Sequence, residues 1–181
     1  MSEVAFREAA SDELGPAVLA QILDLGHACW PEGQFTPDDL DHALGGRHCL
    51  AEVDGRVIGH AAVVPRDLEV GGRVLRAGYV EAVATLPRFQ RRGIASRLMT
   101  AADTHIADAY ELGALSTGEP SFYERLGWLR WAGPTSVREP DGSLTRTLDE
   151  DRGVMVLLTP TSPAIELASP ITCRRRPGDA W

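Results

Sequence analysis

Apolar positions Leu14, Val18, Ile22 and Leu25 recur at spacings of three and four residues, which places them on one face of a helix. Ser11 or Asp12 stands just ahead of that run and supplies its expected cap. A short second helix is signalled by Thr36-Pro37-Asp38-Asp39: a capping hydroxyl, proline at the first helical position, and two acids in the first turn. The period then changes. His48 to Val53 reads as a strand, Asp54-Gly55 as a tight hairpin turn, and Val57 to Val70 as a long apolar strand. Gly71-Gly72 makes a second turn, and Arg73 to Thr85 completes an antiparallel meander. Beyond an arginine-rich loop, Ile94, Leu98, Ala101, His105 and Ala109 return to helical spacing. Ala114 to Ser116 is a short strand, and Ser121 to Leu126 a helix stopped by Gly127. Trp128 to Val137 and Gly153 to Leu158 close the series as strands. The expected class is α/β (α+β): a mixed, mostly antiparallel curved sheet flanked by helices.

The chain has 181 residues, enough for one domain spanning positions 1–181 with a sizeable core, and no linker or repeat divides it. No apolar run approaches the roughly 20 residues that cross a bilayer. The start, Met1 to Glu8, has neither the basic nor the apolar segment of a secretory signal, so a cytoplasmic protein is expected. Cys29, Cys49 and Cys173 are odd in number and far apart, which argues for reduced thiols rather than a disulfide framework or a zinc site. The histidines at 27, 42, 48, 60 and 105 lack the pairing of a metal helix, so no metal is expected, and His60 reads as a hydrogen-bonded core residue. Net charge is −8, from 18 basic and 26 acidic residues. Such a surface repels nucleic acid and suits a cationic small molecule.

The most informative segment is Gln90-Arg91-Arg92-Gly93-Ile94-Ala95, between a strand and an amphipathic helix. A helix entrance carries unpaired amides and partial positive charge, which favour an anion. Gly93 lets backbone approach a ligand, Ala95 keeps the next turn thin, and Arg88, Arg91 and Arg92 add positive charge. The segment is neither a P-loop nor a dinucleotide fingerprint. A solvated basic loop with a glycine turn is the other reading of these six residues.

The pattern Q-x-x-G-x-A in that setting resembles the coenzyme A-binding loop of the GCN5-related N-acetyltransferase superfamily. The resemblance implies a bulged strand before the loop. It also implies backbone contacts from Val83, Ala84 and Thr85 to pantetheine, and from Gln90, Arg91, Arg92, Gly93, Ile94 and Ala95 to the pyrophosphate of acetyl-CoA. Further segments narrow the likeness: Gly45-Gly46-Arg47-His48, His60 to Val64, Leu75 to Glu81, Gly113 to Ser116, Trp131 to Val137, and Gly178-Asp179-Ala180-Trp181. Taken in order from about Phe35 to the last residue, they are similar to the aminoglycoside 2′-N-acetyltransferases of actinobacteria. That family acetylates the 2′-amino group of a polycationic antibiotic. By matching position, Glu81, Ala82, Ser116, Glu150, Asp151 and Asp179 are implied to line the acceptor pocket, with Asp39 a further contact and Trp181 docked to close it. The chain departs from the family pattern at Gln34, where an aspartate is expected, and in the basic run Arg174-Arg175-Arg176, which reads as a solvated face.

A protonated amine has no lone pair, so attack on a thioester requires proton removal. Glu81, at the end of the meander's central strand and two residues before the pantetheine contacts, is the candidate base, directly or through one water, or a carboxylate that only positions substrate; with an ordinary value of about 4.3 it needs desolvation to act as a base. The Val83 N–H is the expected donor to the oxyanion, and Tyr123, which matches the family's tyrosine acid by position, either protonates the leaving thiolate or packs. Two alternatives remain open: the same fold acting on another amine, such as a cell-wall amino sugar, polyamine or peptide, and a non-catalytic acyl-CoA-binding protein. Homodimers are common among relatives.

Overall fold

The computed structural model describes residues 3–181; Met1 and Ser2, with which the reading of the N-terminus begins, lie outside the described residues. The chain forms two compact units, residues 1–64 with 80–104, and residues 65–79 with 105–181.

In the first unit, strands β1 (Ala5–Ala10), β2 (Arg47–Val53) and β3 (Arg56–Val70) pair antiparallel in sequence order. The Asp54-Gly55 turn joins β2 to β3, with both residues in the left-handed region that a two-residue hairpin needs. Strand β4 (Arg73–Thr85) ends here, and the Leu86 N–H donates to the Ile58 carbonyl at 2.9 Å. Helix α1 (Pro16–Cys29) begins later than the Ser11/Asp12 cap implied. Proline takes its first position, where no intrahelical N–H is required, and residues 11–13 form a 3-10 turn instead. Its apolar face, with Leu14, Ile22 and Leu25, packs with Leu50, Val57 and Ala84. Helix α2 (Pro37–His42) keeps its expected cap: Thr36 Oγ1 accepts from the Asp39 N–H, while the Asp39 carboxylate accepts from the Thr36 N–H at 2.7 Å. Helix α3 spans Ile94–Ala109.

In the second unit, the start of β4 pairs parallel with β5 (Leu112–Ser116). Strand β5 pairs antiparallel with β9 (Val154–Leu158), which also holds β6 (Leu129–Arg130). The end of β3 pairs with β10 (Ile171–Arg174), which runs parallel to β7 (Thr135–Arg138); β7 pairs with β8 (Leu144–Arg146). The single strand expected over 128–137 is therefore two. Residues 131–134 belong to neither: Pro134 has no N–H to give a ladder, and Gly133 lies so close to the Ser169 carbonyl that a Cβ would sit 1.9 Å from that oxygen. Helix α4 (Pro120–Glu124) follows β5, and the chain leaves it through Gly127. Among the described residues, no helix is long and apolar enough to cross a membrane.

Candidate active site

Strand β4 runs buried from Ala77 to Val80 and again at Ala84 and Thr85, but Glu81, Ala82 and Val83 are all part-exposed. The reason is local. Ala82 has φ of +50°, rare for a residue with a Cβ, and a left-handed residue breaks the alternation of a strand. The window so opened holds the expected acid, Glu81, and the expected amide donor, Val83. Beyond it, the Thr85 hydroxyl is buried and without a hydrogen-bond partner, while its carbonyl accepts from the Cys29 thiol (3.3 Å) and the Gln90 side-chain amide (3.1 Å). Gln90 thereby ties the loop to the strand it leaves.

Residues 87–89 form a 3-10 turn, and Arg91 and Gly93 follow with φ of +57° and +78°. The first intrahelical bond of α3 runs from the Arg97 N–H to the Gly93 carbonyl (3.0 Å). The amides of Ile94, Ala95 and Ser96 are consequently left without intrahelical acceptors. The exposed Arg88 and Arg92 guanidinium groups lie 5.1 and 5.4 Å from the centre of the Phe89 ring, a cation–π arrangement within the loop that leads into α3. Unpaired amides, fixed cations and an unused hydroxyl make a donor set for a phosphorylated ligand. Gln34 is exposed in the loop before α2, and Asp39 spends one carboxylate oxygen on the α2 cap.

The second unit gathers most of the expected acceptor-side residues. Ser116, at the end of β5, donates to a Glu150 carboxylate oxygen at 2.5 Å. Burial raises the Glu150 carboxyl above its usual value; the Ser116 bond opposes this, and the charges of Asp179 and Asp149 add to it. Gly153 completes the pair. A Cβ there would meet the Ser116 hydroxyl at 2.8 Å and a Glu150 oxygen at 3.5 Å, a role no sequence pattern revealed. Asp151 is engaged otherwise. Both oxygens bind Arg146 (3.0 and 2.8 Å), and one also accepts from the Thr135 N–H and hydroxyl. The Arg146 bonds, with help from Thr135, hold it well below the usual carboxylate range, so its charge is matched before any ligand arrives.

Trp181 is 4% exposed, and its indole N–H donates to Thr147 Oγ1 at 3.1 Å. Its N–H donates to Asp179 (3.2 Å), while the preceding carbonyl, of Ala180, accepts from Arg66 (2.7 Å) and Cys173 (3.2 Å). Arg174 and Arg175 are exposed as expected, but Arg176 is only half-exposed and donates to the Asp179 and Trp181 carbonyls. A charge run that reads as solvent-facing thus includes a clamp on the docked tail. Tyr123, on α4, is buried edge-on to Phe122 and Trp128.

His48 and His60 are fully buried in the first unit, and burial pushes their values down to about 4 and about 3; the neighbouring His48 lowers His60 further. Both lie below the ordinary value of about 6.5, so on acidification the unfolded chain takes up protons first. The stability given by the neutral pair is complete above about pH 6.5 and is lost progressively as the pH falls towards 4. The urea midpoint should therefore drop markedly between pH 7 and pH 5. An unchanged midpoint would mean that the pair is solvated.

The Acetyltransferase (GNAT) domain family matches residues 31–130. A curated aminoglycoside 2′-N-acetyltransferase from Mycolicibacterium fortuitum is 43% identical over 154 residues, covering 83% of this chain and 78% of that one. Among solved structures, the GNAT-family N-acetyltransferase YhbS of Escherichia coli, in complex with CoA, aligns with a TM-score of 0.65 at 16% identity, over 96% of this chain and 91% of that one. A GNAT-family acetyltransferase of Brucella melitensis, in complex with acetyl-CoA, gives 0.63 at 18% identity, over 94% and 96%. The chain spans about a third of the length of a longer match from Enterococcus faecalis, covering 33% of it. Likenesses at such low identity establish the fold, and the M. fortuitum protein narrows it: this chain belongs to the aminoglycoside 2′-N-acetyltransferase family of the GCN5-related N-acetyltransferases.

Proposed function

We propose that this chain, as a single cytoplasmic domain over residues 1–181, transfers the acetyl group of acetyl-CoA directly to the 2′-amino group of an aminoglycoside. The observation that carries this is the part-exposed window Glu81-Ala82-Val83 in an otherwise buried strand, leading into a cationic, amide-rich helix entrance. The relative named for this activity supports the choice of acceptor. Three free cysteines support a reducing compartment.

Acetyl-CoA, when bound, supplies an acetyl group activated as a thioester. The amides of Ile94, Ala95 and Ser96, with Arg88, Arg91 and Arg92, hold its diphosphate. The backbone of Val83, Ala84 and Thr85 holds its pantetheine arm, and the orphaned Thr85 hydroxyl gives that arm a polar partner. Glu81 accepts the proton that frees the amine lone pair. The Val83 N–H stabilises the acyl oxygen as it gains charge, and the Tyr123 hydroxyl returns a proton to the departing sulfur. Glu150, with Ser116 and Asp179, meets the cationic sugar. A carboxyl raised by burial and like charge gains most from an arriving ammonium group, whose charge favours its ionised form. Asp151 acts through the scaffold, by fixing Thr135 and Arg146.

The test is thiol release from acetyl-CoA with a panel of aminoglycosides, followed by location of the acetyl group in the product. Turnover confined to acceptors with a 2′-amine is expected. Gln34 favours a second reading, in which another amine is the natural acceptor, because a neutral side chain stands exposed where the family carries an acid. Gln34→Asp should tighten aminoglycoside binding if the first reading holds; unchanged or weaker affinity favours the second.

A further inference from the structure

Three side chains far apart in sequence end on the carbonyl of Ala82. Ser11 Oγ lies 2.8 Å from His48 Nε2, His48 Nδ1 lies 2.9 Å from His60 Nε2, and His60 Nδ1 lies 2.8 Å from the Ala82 oxygen. We propose that Ser11, His48 and His60 form a one-directional hydrogen-bond relay that positions the Ala82 carbonyl, and so sets the left-handed turn that carries Glu81 and Val83.

The direction follows from the chemistry of each end. A carbonyl oxygen only accepts, so His60 Nδ1 must carry a proton. In a neutral imidazole Nε2 then accepts, which forces His48 to donate from Nδ1 and to accept at Nε2. The hydroxyl of Ser11 must therefore donate to His48. At the outer end Ser11 Oγ accepts from the Gly45 and Gly46 N–H groups at 2.9 and 3.1 Å, and its one proton has two acceptors in reach, His48 Nε2 at 2.8 Å and the Gly46 carbonyl at 3.2 Å, of which the histidine is the nearer. Each imidazole nitrogen along the path then has one partner of the opposite role. Both rings are fully buried, so water cannot scramble the order.

Register brings the members together. His60 stands opposite Leu50 and His48 opposite Ala62, so the two rings form a diagonal pair on one face of the β2–β3 ladder. A non-glycine residue at positive φ persists only when its surroundings over-determine it. A buried donor fixed on its carbonyl is such a constraint. Ser11, His48 and His60 are positioning residues; none of them needs to touch substrate.

The inference rests on the assignment of Glu81 and Val83 to acyl transfer, and its first test is independent of activity. Long-range 1H–15N NMR of the ligand-free protein should show both imidazoles neutral with the proton on Nδ1, the minority form in water. A proton on Nε2 of either ring overturns the relay. In His60→Leu the Ala82 13C′ resonance should move upfield, and an unmoved resonance overturns the positioning role even if no acceptor is ever found. With a working acceptor, His60→Leu should lower kcat about tenfold or more while KM for acetyl-CoA changes by less than about threefold, because the diphosphate is held elsewhere. His60→Asn, which keeps an N–H where Nδ1 lies, should return kcat to within about threefold of the original protein. Equal rates for the leucine and asparagine variants overturn the proposal. If His60→Leu does not fold, the half-exposed outer end serves: Ser11→Ala should lower kcat and mix the His48 tautomers, Ser11→Thr should preserve both, and tautomers unmoved by Ser11→Ala overturn the proposal.

Discussion

Glu81→Gln is expected to lower kcat about a hundredfold with little change in KM for the amine, measured by thiol release under saturating acetyl-CoA. Glutamine has nearly the same volume and keeps an acceptor oxygen, so it can still orient an ammonium group; what it loses is the capacity to take a proton. Glu81 sits part-exposed at the left-handed turn of β4, with buried Val80 on one side. The pH profile separates the two roles. With Glu81 present, the ammonium group can lose its proton inside the site, so activity extends below the pH at which the amine is free in solution. In the variant, only amine already deprotonated in solution reacts, so the rise of kcat/KM moves to higher pH. A rise in KM with kcat preserved would make Glu81 a positioning carboxylate and move the search for a base elsewhere.

Much of the fold was legible because local chemistry and tertiary pairing agree. The β4 strand was expected at Arg73–Thr85 and occupies those residues; Thr36 caps α2; Asp54-Gly55 turns the hairpin. Strand β1 was not legible. Ala-Phe-Arg-Glu-Ala-Ala is rich in helix formers and only Ala9 is buried, so it shows no apolar alternation, and its pairing with β2 makes it a strand. Strand β10 follows a turn-rich stretch and is recognised by its two neighbours, not by its four residues.

The site divides in the same way. The helix-entrance amides follow from Gly93 opening a helix, and the roles proposed for Tyr123 and the acceptor-side acids rest on the family pattern. Whether an acid is free to act was invisible in both. Asp151 and Glu150 are neighbours with one charge each, yet Arg146 neutralises the first while burial strains the second. The Ser11–His48–His60 path joins residues 37 and 12 positions apart, at a spacing that no local period encodes.

Two adjacent glycines show how fold and chemistry meet at that path. Gly46→Ala is expected to lower stability by about 3 kcal/mol or more, since a Cβ would sit 1.9 Å from the Val63 carbonyl oxygen and 2.8 Å from Val64 Cα, both backbone atoms of the paired strand. For a chain of this size that is a fall in Tm of roughly 8 °C. Gly45→Ala should cost only about 1 kcal/mol, because nothing lies within 4 Å of its Cβ position and the penalty is that of φ +85° alone. The consequences for activity differ as well. Gly46 bonds Ser11 at both ends, its carbonyl accepting from the Ser11 N–H at 3.0 Å and its N–H donating to the hydroxyl. Gly45 also donates to that hydroxyl, at 2.9 Å, but only Gly46 is forced off its place by a Cβ, so kcat per folded molecule should fall further in Gly46→Ala than in Gly45→Ala. Thermal melts and kcat on the two proteins decide this, and equal losses from both substitutions would separate the strand contact from the active site.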